Sequence, residues 1–189
     1  MVFLKPHFSF ETTLTDQLKD AGNNLLNLPS SIDDLLTLLD KVENLLANVE
    51  QAQSRSIHNA LLPLVKALIT NELLRNSKMD VKISVLSCNT EITRITAPDA
   101  PYGDEKIKEI FQLTIAGFQN LSYVSSRYYT KVVSILDTIA KIRSCLVMLD
   151  LKCDALVVEM FQTFFKIISA NHPPVVFSAM ETNYDNGHR

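Results

Sequence analysis

The chain has 189 residues, of which 47% are hydrophobic and 21% are charged, and its 18 Lys and Arg stand against 21 Asp and Glu. This length allows one domain with a core of its own, and a net charge of −3 provides no basic field that would attract nucleic acid or an acidic membrane. The four glycines are far fewer than all-β chains and nucleotide-binding folds use in turns and phosphate loops. Composition therefore favours an all-helical fold.

The cysteines and the N-terminus indicate the compartment. Cys88, Cys145 and Cys153 lie in apolar surroundings without CxxC spacing, as buried free thiols do in a reducing compartment. Lys5 and Pro6 interrupt the first apolar residues before a signal-peptide core can form, and no apolar run approaches the roughly 18 residues that cross a bilayer. We therefore expect a soluble, intracellular protein without a membrane segment.

Apolar residues at helical spacing define the first elements. They predict an amphipathic helix over residues 11 to 27, which ends before Pro29. Ser31, with Asp34 three residues later, has the spacing of a capped helix start, and the second predicted helix runs from there to Val49. A third helix follows over residues 57 to 68, with Pro63 near its first turns.

Four further helices are predicted towards the C-terminus. Ser77 and Asp80 repeat the capping spacing before a helix that ends at Ala97, because a residue that precedes proline is pushed out of the helical region. Acidic residues at 104 and 105 start the next helix, which continues to residue 121. Two more are predicted over residues 132 to 142 and 156 to 168.

A stripe of four positions recurs three times at a spacing of 47 residues. The copies are Leu38, Leu39, Val42 and Leu45; Val85, Leu86, Asn89 and Ile92; and Val132, Val133, Leu136 and Ile139. Asn89 is the one polar residue among them. This period is at the upper end of the HEAT and armadillo range, in which each helix pair stacks on its neighbours, although stripes of an ordinary helical bundle can also coincide.

We therefore predict an all-α fold of HEAT/armadillo-like stacked helical repeats, an α-solenoid fragment. Residues 1–10 are expected to form an N-terminal extension and residues 183–189 a polar tail. Between them, residues 11–182 are expected to form a HEAT-like domain of about three helix pairs plus an incomplete fourth.

Residues for catalysis, metals or cofactors are not apparent in the sequence. The four histidines are scattered through the sequence. The glycines do not have the spacing of a phosphate-binding loop (GxxxxGK[ST]) or of a nucleophile elbow (GxSxG). Cys145 and Cys153 have no nearby histidine and suit core packing. Lys131, Lys141 and Arg143 are expected to form a solvated basic face rather than a nucleic-acid site. We predict a protein that is not an enzyme and has no cofactor.

The link from Ala97 to Tyr102 combines rigidity with recognition chemistry. Pro98 and Pro101 fix their own φ angles and restrict the residues before them, so the link loses little entropy when a partner binds. Asp99 and Tyr102 add an acid and a large amphipathic ring. The link is therefore either a peptide-binding edge or an ordinary rigid turn between two helices.

Three segments carry a resemblance to a known family. They are DDLLTLLDKVENLLANVEQ (33–51), ITRITAPDAPY (92–102) and SCLVMLDLKCDALVVEMFQ (144–162). Together they resemble, in the correct order, the N-terminal region of the precocious-dissociation-of-sisters cohesin cofactors in their plant form. The resemblance covers about residues 11 to 182.

This resemblance implies a non-enzymatic HEAT-repeat regulator of sister chromatid cohesion in the nucleus, associated with chromatin. The implied partners are the cohesin complex and its regulators. In that family the APDA segment takes part in binding short peptide motifs of regulators such as Wapl. The implied partner-binding residues here are Ala97, Pro98, Asp99 and Ala100.

A second function remains open from the sequence. The family's proteins are many times longer, and this sequence closes with a further apolar helix start at Val175 to Met180 before its polar last residues. An unfinished repeat predicts exposed apolar surface. The alternative is therefore a truncated helical scaffold or oligomerisation fragment that has lost the cohesin function.

Overall fold

The structure is a computed structural model that describes residues 7–50 and 54–187, with only the backbone described for residues 7–12. Its regular elements in these ranges are all helical, which confirms the predicted fold class. They are α1 (His7–Leu26), α2 (Ile32–Ala47), α3 (Arg55–Leu68), α4 (Asn71–Leu74), α5 (Met79–Thr96), α6 (Asp104–Phe118), a 3₁₀ helix (Gln119–Ser122), α7 (Tyr129–Lys141), α8 (Ser144–Asp150), α9 (Asp154–Ile167) and α10 (Pro174–Gly187). Among the described helices, none is both long enough and apolar enough to span a bilayer.

The 47-residue repeat corresponds to one layer of stacked helices. α5 packs between α2 and α7, and α10 packs on the far side of α7. Cys88 donates to the carbonyl of Leu39 at 3.6 Å, and Arg94 donates to the carbonyl of Leu46 at 3.1 Å. Since residue numbers rise together along the two helices, α2 and α5 run parallel, as equivalent helices of a repeat do.

A fourth copy of the stripe was missed in the sequence. It consists of Ala179, Met180, Asn183 and Asn186, which lie one period after the third copy and are buried on α10. Two of these four positions are asparagines, so the copy does not have the apolar pattern that identified the others. The Asn186 side-chain amide donates to the carbonyl of Ala140 on α7 at 3.3 Å, which ties the fourth copy to the third.

Lys131 connects three helices of this layer. Its ammonium group on α7 lies 2.9 Å from Asp40 and 2.7 Å from Glu43 on α2, and 3.2 Å from the hydroxyl of Ser84 on α5. Burial alone would lower the pKa of Lys131, but the hydrogen bonds to the Glu43 and Asp40 carboxylates outweigh it and leave the pKa raised. Lys131 is thus a structural cation, and the expectation that it belongs to a solvated basic face is wrong.

The second layer is built on the repeat layer. α6 packs on α5 and α9, and α9 also contacts α8 and α10. At the N-terminal end, α1 lies along α3 and contacts α2. α3 begins at Arg55, so Pro63 lies in the second half of the helix. The prediction that Pro63 lies near the first turns of this helix is therefore wrong.

Several predicted helix ends need correction. The Ser31 hydroxyl accepts from the Asp34 amide at 3.0 Å, which confirms the cap of α2. Ser77 is not a cap, because α5 begins at Met79 and the Asn76 side chain accepts from the Lys78 amide at the turn before it. The outer limits also differ: α1 begins at residue 7, within the predicted extension, and α10 includes residues 183–187 of the predicted polar tail.

The contact of α1 with α3 depends on a glycine. A Cβ atom at Gly22 would lie 2.7 Å from Cβ of Pro63 and 2.8 Å from the backbone nitrogen of Leu64. Backbone cannot move aside as a flexible side chain can, so the helices approach this closely only while residue 22 lacks a side chain.

We therefore predict that Gly22→Ala lowers the free energy of unfolding by about 1 to 3 kcal/mol, although alanine is the better helix former. Urea denaturation followed by circular dichroism measures this change. Gly103→Ala is the steric control, because a Cβ atom there meets nothing within 4 Å. Gly103 is the N-cap of α6, where alanine is less favourable than glycine, so this variant should lose at most about 1 kcal/mol and less than Gly22→Ala. Equal stability of the Gly22→Ala variant and the parent would contradict the close contact.

Candidate partner-binding site

The four candidate residues follow α5 directly. The amide of Ala97 donates to the carbonyl of Thr93 at 3.0 Å, and the amide of Asp99 donates to that of Thr96 at 2.9 Å, which close the last turn of the helix. Ala97 has φ −53° and ψ 136°, so the chain leaves the helix at the residue that precedes Pro98, as predicted. The Ala97–Pro98 peptide bond is cis. Pro98, Asp99 and Ala100 are exposed, and Ala97 is half-buried.

This link forms one wall of an apolar cavity of about 270 Å³. The second wall is the first half of α6, and the third is the junction of α7 and α8. The residues that line the cavity beyond the link are Thr93, Ile107, Ile110, Phe111, Ile142, Arg143, Ser144, Leu146 and Val147. The structure therefore brings all four candidate residues to a single cavity, while their role in binding a partner stays a prediction.

Opposite charges lie on two sides of the cavity. Asp99 contributes a carboxylate from the link, and Arg143 contributes a guanidinium group from the α7–α8 junction. Both residues are exposed, so neither has lost its solvation in the absence of a partner. A ligand that enters the cavity with one apolar group can therefore meet an acid on one side and a base on the other.

Arg143 is held in a left-handed conformation, with φ 56° and ψ 42°. Its amide donates to the carbonyl of Ala140 at 3.2 Å, which closes the end of α7, and α8 begins at the next residue. A side chain in this conformation costs about 1 to 2 kcal/mol relative to the right-handed one. This sharp junction directs α8 towards the cavity.

Tyr102 connects the link to the core. The ring lines the cavity, the residue is 7% exposed, and its hydroxyl donates to the side-chain oxygen of Asn89 at 2.6 Å. Burial raises the pKa of the Tyr102 phenol, so the hydroxyl stays protonated and keeps donating. Asn89 is itself fully buried on α5.

The sequence did not predict α8, whose first turns supply part of the third wall of the cavity. Neither Arg143 nor Lys152, the two left-handed residues that flank α8, is a glycine, and so the sequence showed no break there. Arg143 was grouped with Lys131 and Lys141 as one basic face, but Lys131 pairs with α2, Lys141 pairs with Asp137, and Arg143 lines the cavity. The signal that could have located α8 is the apolar run after Arg143.

The three thiols are buried, and the described part of the chain has no cluster of metal-ligating side chains. All three cysteines are buried and unpaired with one another, as predicted. Burial raises the pKa of Cys88 strongly and that of Cys145 to about 11, which keeps both thiols neutral at physiological pH. Within residues 7–50 and 54–187 no group of three or more His, Cys, Asp or Glu side chains is arranged to hold a metal ion.

Comparison with known proteins identifies the relatives of this fold. The family model described as sister chromatid cohesion protein PDS5 matches residues 33–182. The chain belongs to the PDS5 family. Sister chromatid cohesion protein PDS5 homolog D of Arabidopsis thaliana is 55% identical over 168 residues, which cover 89% of this chain and 20% of the relative. Homolog E of the same plant is 55% identical over 175 residues, which cover 93% of this chain and 17% of the relative.

More distant members share the same region. The pds5 protein of Schizosaccharomyces pombe is 27% identical over 146 residues, which cover 75% of this chain and 12% of that protein. A chain in a solved structure of the Pds5–Scc1 complex matches with a TM-score of 0.75 and 24% identity over 85% of this chain and 24% of its own length. This likeness shows the fold, a HEAT-repeat solenoid, and confirms the predicted repeat architecture. The chain spans about a fifth or less of the length of these PDS5 relatives.

The left-handed residues at the two ends of α8 allow a paired test of the junction. We predict that Arg143→Gly raises the free energy of unfolding by up to about 1 kcal/mol, because glycine adopts this conformation without a steric penalty. Lys152→Gly should have a similar effect, since Lys152 has φ 56° and its amide donates to the carbonyl of Leu149 in a helix C-terminal turn.

Urea denaturation of both variants measures these changes. A loss of stability on Arg143→Gly, combined with a gain on Lys152→Gly, would contradict the assignment of Arg143 as a strained junction residue.

Proposed function

We propose that this chain is part of a non-enzymatic regulator of sister chromatid cohesion that acts in the nucleus, on chromatin. Its helical repeats serve as a platform that binds peptide motifs of cohesin regulators, such as a Wapl-like segment. The family assignment supports the cohesion role, since every relative named above is itself called a sister chromatid cohesion protein. The proposed partners of the protein are the cohesin complex and its regulators.

The observation that carries the binding proposal is the position of the APDA link on the apolar cavity. Ala97, Pro98, Asp99 and Ala100 all line it, and the cavity continues onto α6 and α8. Two prolines and the Tyr102 hydrogen bond hold the link, so binding costs little additional ordering. A rigid turn that only joined two helices would have no need of an apolar hollow beside it.

The size and charge of the cavity indicate the ligand. At about 270 Å³ the cavity lies just below the usual range for small-molecule and cofactor sites, and it suits one large apolar side chain of a peptide. Asp99 at its rim favours a basic residue in that peptide next to the apolar anchor. Arg143 on the other side favours an acidic residue or a carbonyl group.

The proposal is tested with overlapping fluorescent peptides that cover a Wapl protein, titrated against the chain by fluorescence polarisation. We predict that Asp99→Lys weakens the best peptide by about ten- to a hundredfold, because one charge-assisted contact is replaced by a repulsion. Asp16→Lys is the matched control, because Asp16 is an exposed acid on α1 that is not among the cavity residues.

The proposed function requires that a peptide bind the parent and the Asp16→Lys variant equally. Equal binding by the Asp99→Lys variant would mean that the peptide binds elsewhere. Failure of every peptide to bind the parent would overturn the proposed function itself.

A second candidate function rests on a different surface. The outer face of α9 and α10 exposes Phe165 at 71%, Ile168 at 52% and Tyr184 at 45% of their area, beside a groove of about 430 Å³. Exposed apolar patches of this kind mark association surfaces. This face favours the alternative of a helical scaffold that oligomerises through α9 and α10.

Size-exclusion chromatography with light scattering distinguishes this alternative. If the face drives oligomerisation, the parent forms a dimer or larger species, and Phe165→Glu returns it to a monomer because a charge cannot be buried there unpaired. A parent that stays monomeric at high concentration would rule the scaffold function out.

A further inference from the structure

Asn89 is the polar exception in the three repeat copies that the sequence displays. The equivalent positions are Val42 on α2 and Leu136 on α7, both of which are buried and apolar. Asn89 is buried to the same degree, with 0% of its surface exposed. A buried amide is costly unless its groups are hydrogen-bonded, so a polar side chain at this position needs a specific partner.

Both ends of the Asn89 amide have partners, which fixes the orientation of the side chain. Its nitrogen donates to the carbonyl of Val85 in the same helix at 3.0 Å. Its oxygen accepts from the Tyr102 hydroxyl at 2.6 Å. The first bond aims the oxygen outwards from α5, and the second attaches the link to it.

The fourth repeat copy has the same arrangement. Asn183, two periods after Asn89, donates through its side-chain nitrogen to the carbonyl of Ala179 at 2.9 Å, and its oxygen accepts from the Cys145 thiol at 3.4 Å. Cys145 belongs to α8, another wall of the cavity. Asparagine at this repeat position therefore attaches a neighbouring segment to the helix layer in both copies.

We propose that Asn89 is a positioning residue for the candidate site: through Tyr102 it holds residues 97–102 in the shape that forms the cavity wall. This inference rests on the proposed peptide-binding function of the cavity. Asn89 itself is not among the residues that line the cavity, so its effect on binding passes through the ring and backbone of Tyr102. Without the bond, the packing of the Tyr102 ring, the two prolines and the turn at the end of α5 still restrain the link, but the ring has no polar contact that fixes its position.

The test separates positioning from stability by replacing both partners at once. In the double variant Asn89→Leu with Tyr102→Phe, no buried polar group is left unsatisfied, and such paired replacements are close to neutral for stability. Leucine is also the residue that the fold accepts at the equivalent position 136.

We expect the double variant to keep its melting temperature within a few degrees of the parent. Its dissociation constant for the best Wapl-derived peptide should rise by about three- to tenfold, which is the effect of one lost hydrogen bond on a prearranged site. Amide hydrogen exchange at Ala97 and Asp99, whose amides donate to the carbonyls of Thr93 and Thr96, should become faster by a similar factor.

Tyr129→Phe is the matched control. The Tyr129 hydroxyl also makes one buried hydrogen bond, to His172 at 2.8 Å, but it lies at the start of α7, whereas the cavity contacts the end of that helix. This variant should lose stability and bind the peptide as the parent does. If peptide affinity instead falls in step with melting temperature in all variants, including Tyr129→Phe, then Asn89 has only a structural role.

Two further results would overturn the proposal. One is a double variant that binds the peptide with parental affinity. The other is unchanged exchange at the Ala97 and Asp99 amides, which needs no peptide and so tests the positioning role even if the parent binds none. If the double variant unfolds, the same exchange measurement on Tyr102→Phe alone decides the question.

Discussion

The parallel stacking of α5 between α2 and α7 determines where the walls of the candidate site lie. It buries the 47-residue stripes against one another, and polar contacts set its register. Arg94 donates to the carbonyl of Leu46 in the last turn of α2 and to that of Val49 just beyond it, and Lys131 of α7 reaches the acids of α2 across α5. These contacts satisfy helix-end carbonyls and a half-buried cation, so a shift of α5 along α2 would leave charged and polar groups without partners.

The candidate site follows from this stacking. Because α5 and α7 are equivalent helices in neighbouring repeats, their C-terminal ends lie on the same side of the layer. The link after α5 and the junction after α7 therefore face one another, and α6 closes the cavity between them. The cavity therefore results from the geometry of the repeats. The charged groups at its rim, Asp99 and Arg143, belong to the individual links and do not follow from the repeat.

The sequence predicted the features of the fold that depend on apolar periodicity, helix capping and proline. The repeat spacing, the start of α2 at Ser31 and the end of α5 before Pro98 are all in the structure. It did not reveal α8, because Arg143 and Lys152 adopt a glycine-like conformation without being glycines. In the sequence Asn89 is only a polar exception in an apolar stripe, because a hydrogen bond to a residue 13 positions later leaves no local pattern.

The proposed function requires that a peptide of a cohesin regulator bind in the cavity between the APDA link and α8. Amide chemical-shift mapping tests it most directly, with ¹⁵N-labelled chain titrated with the best Wapl-derived peptide. We expect shifts that cluster at residues 93–111 and 142–147, on the walls of the cavity. Shifts confined to α9 and α10, with the link unaffected, would contradict it.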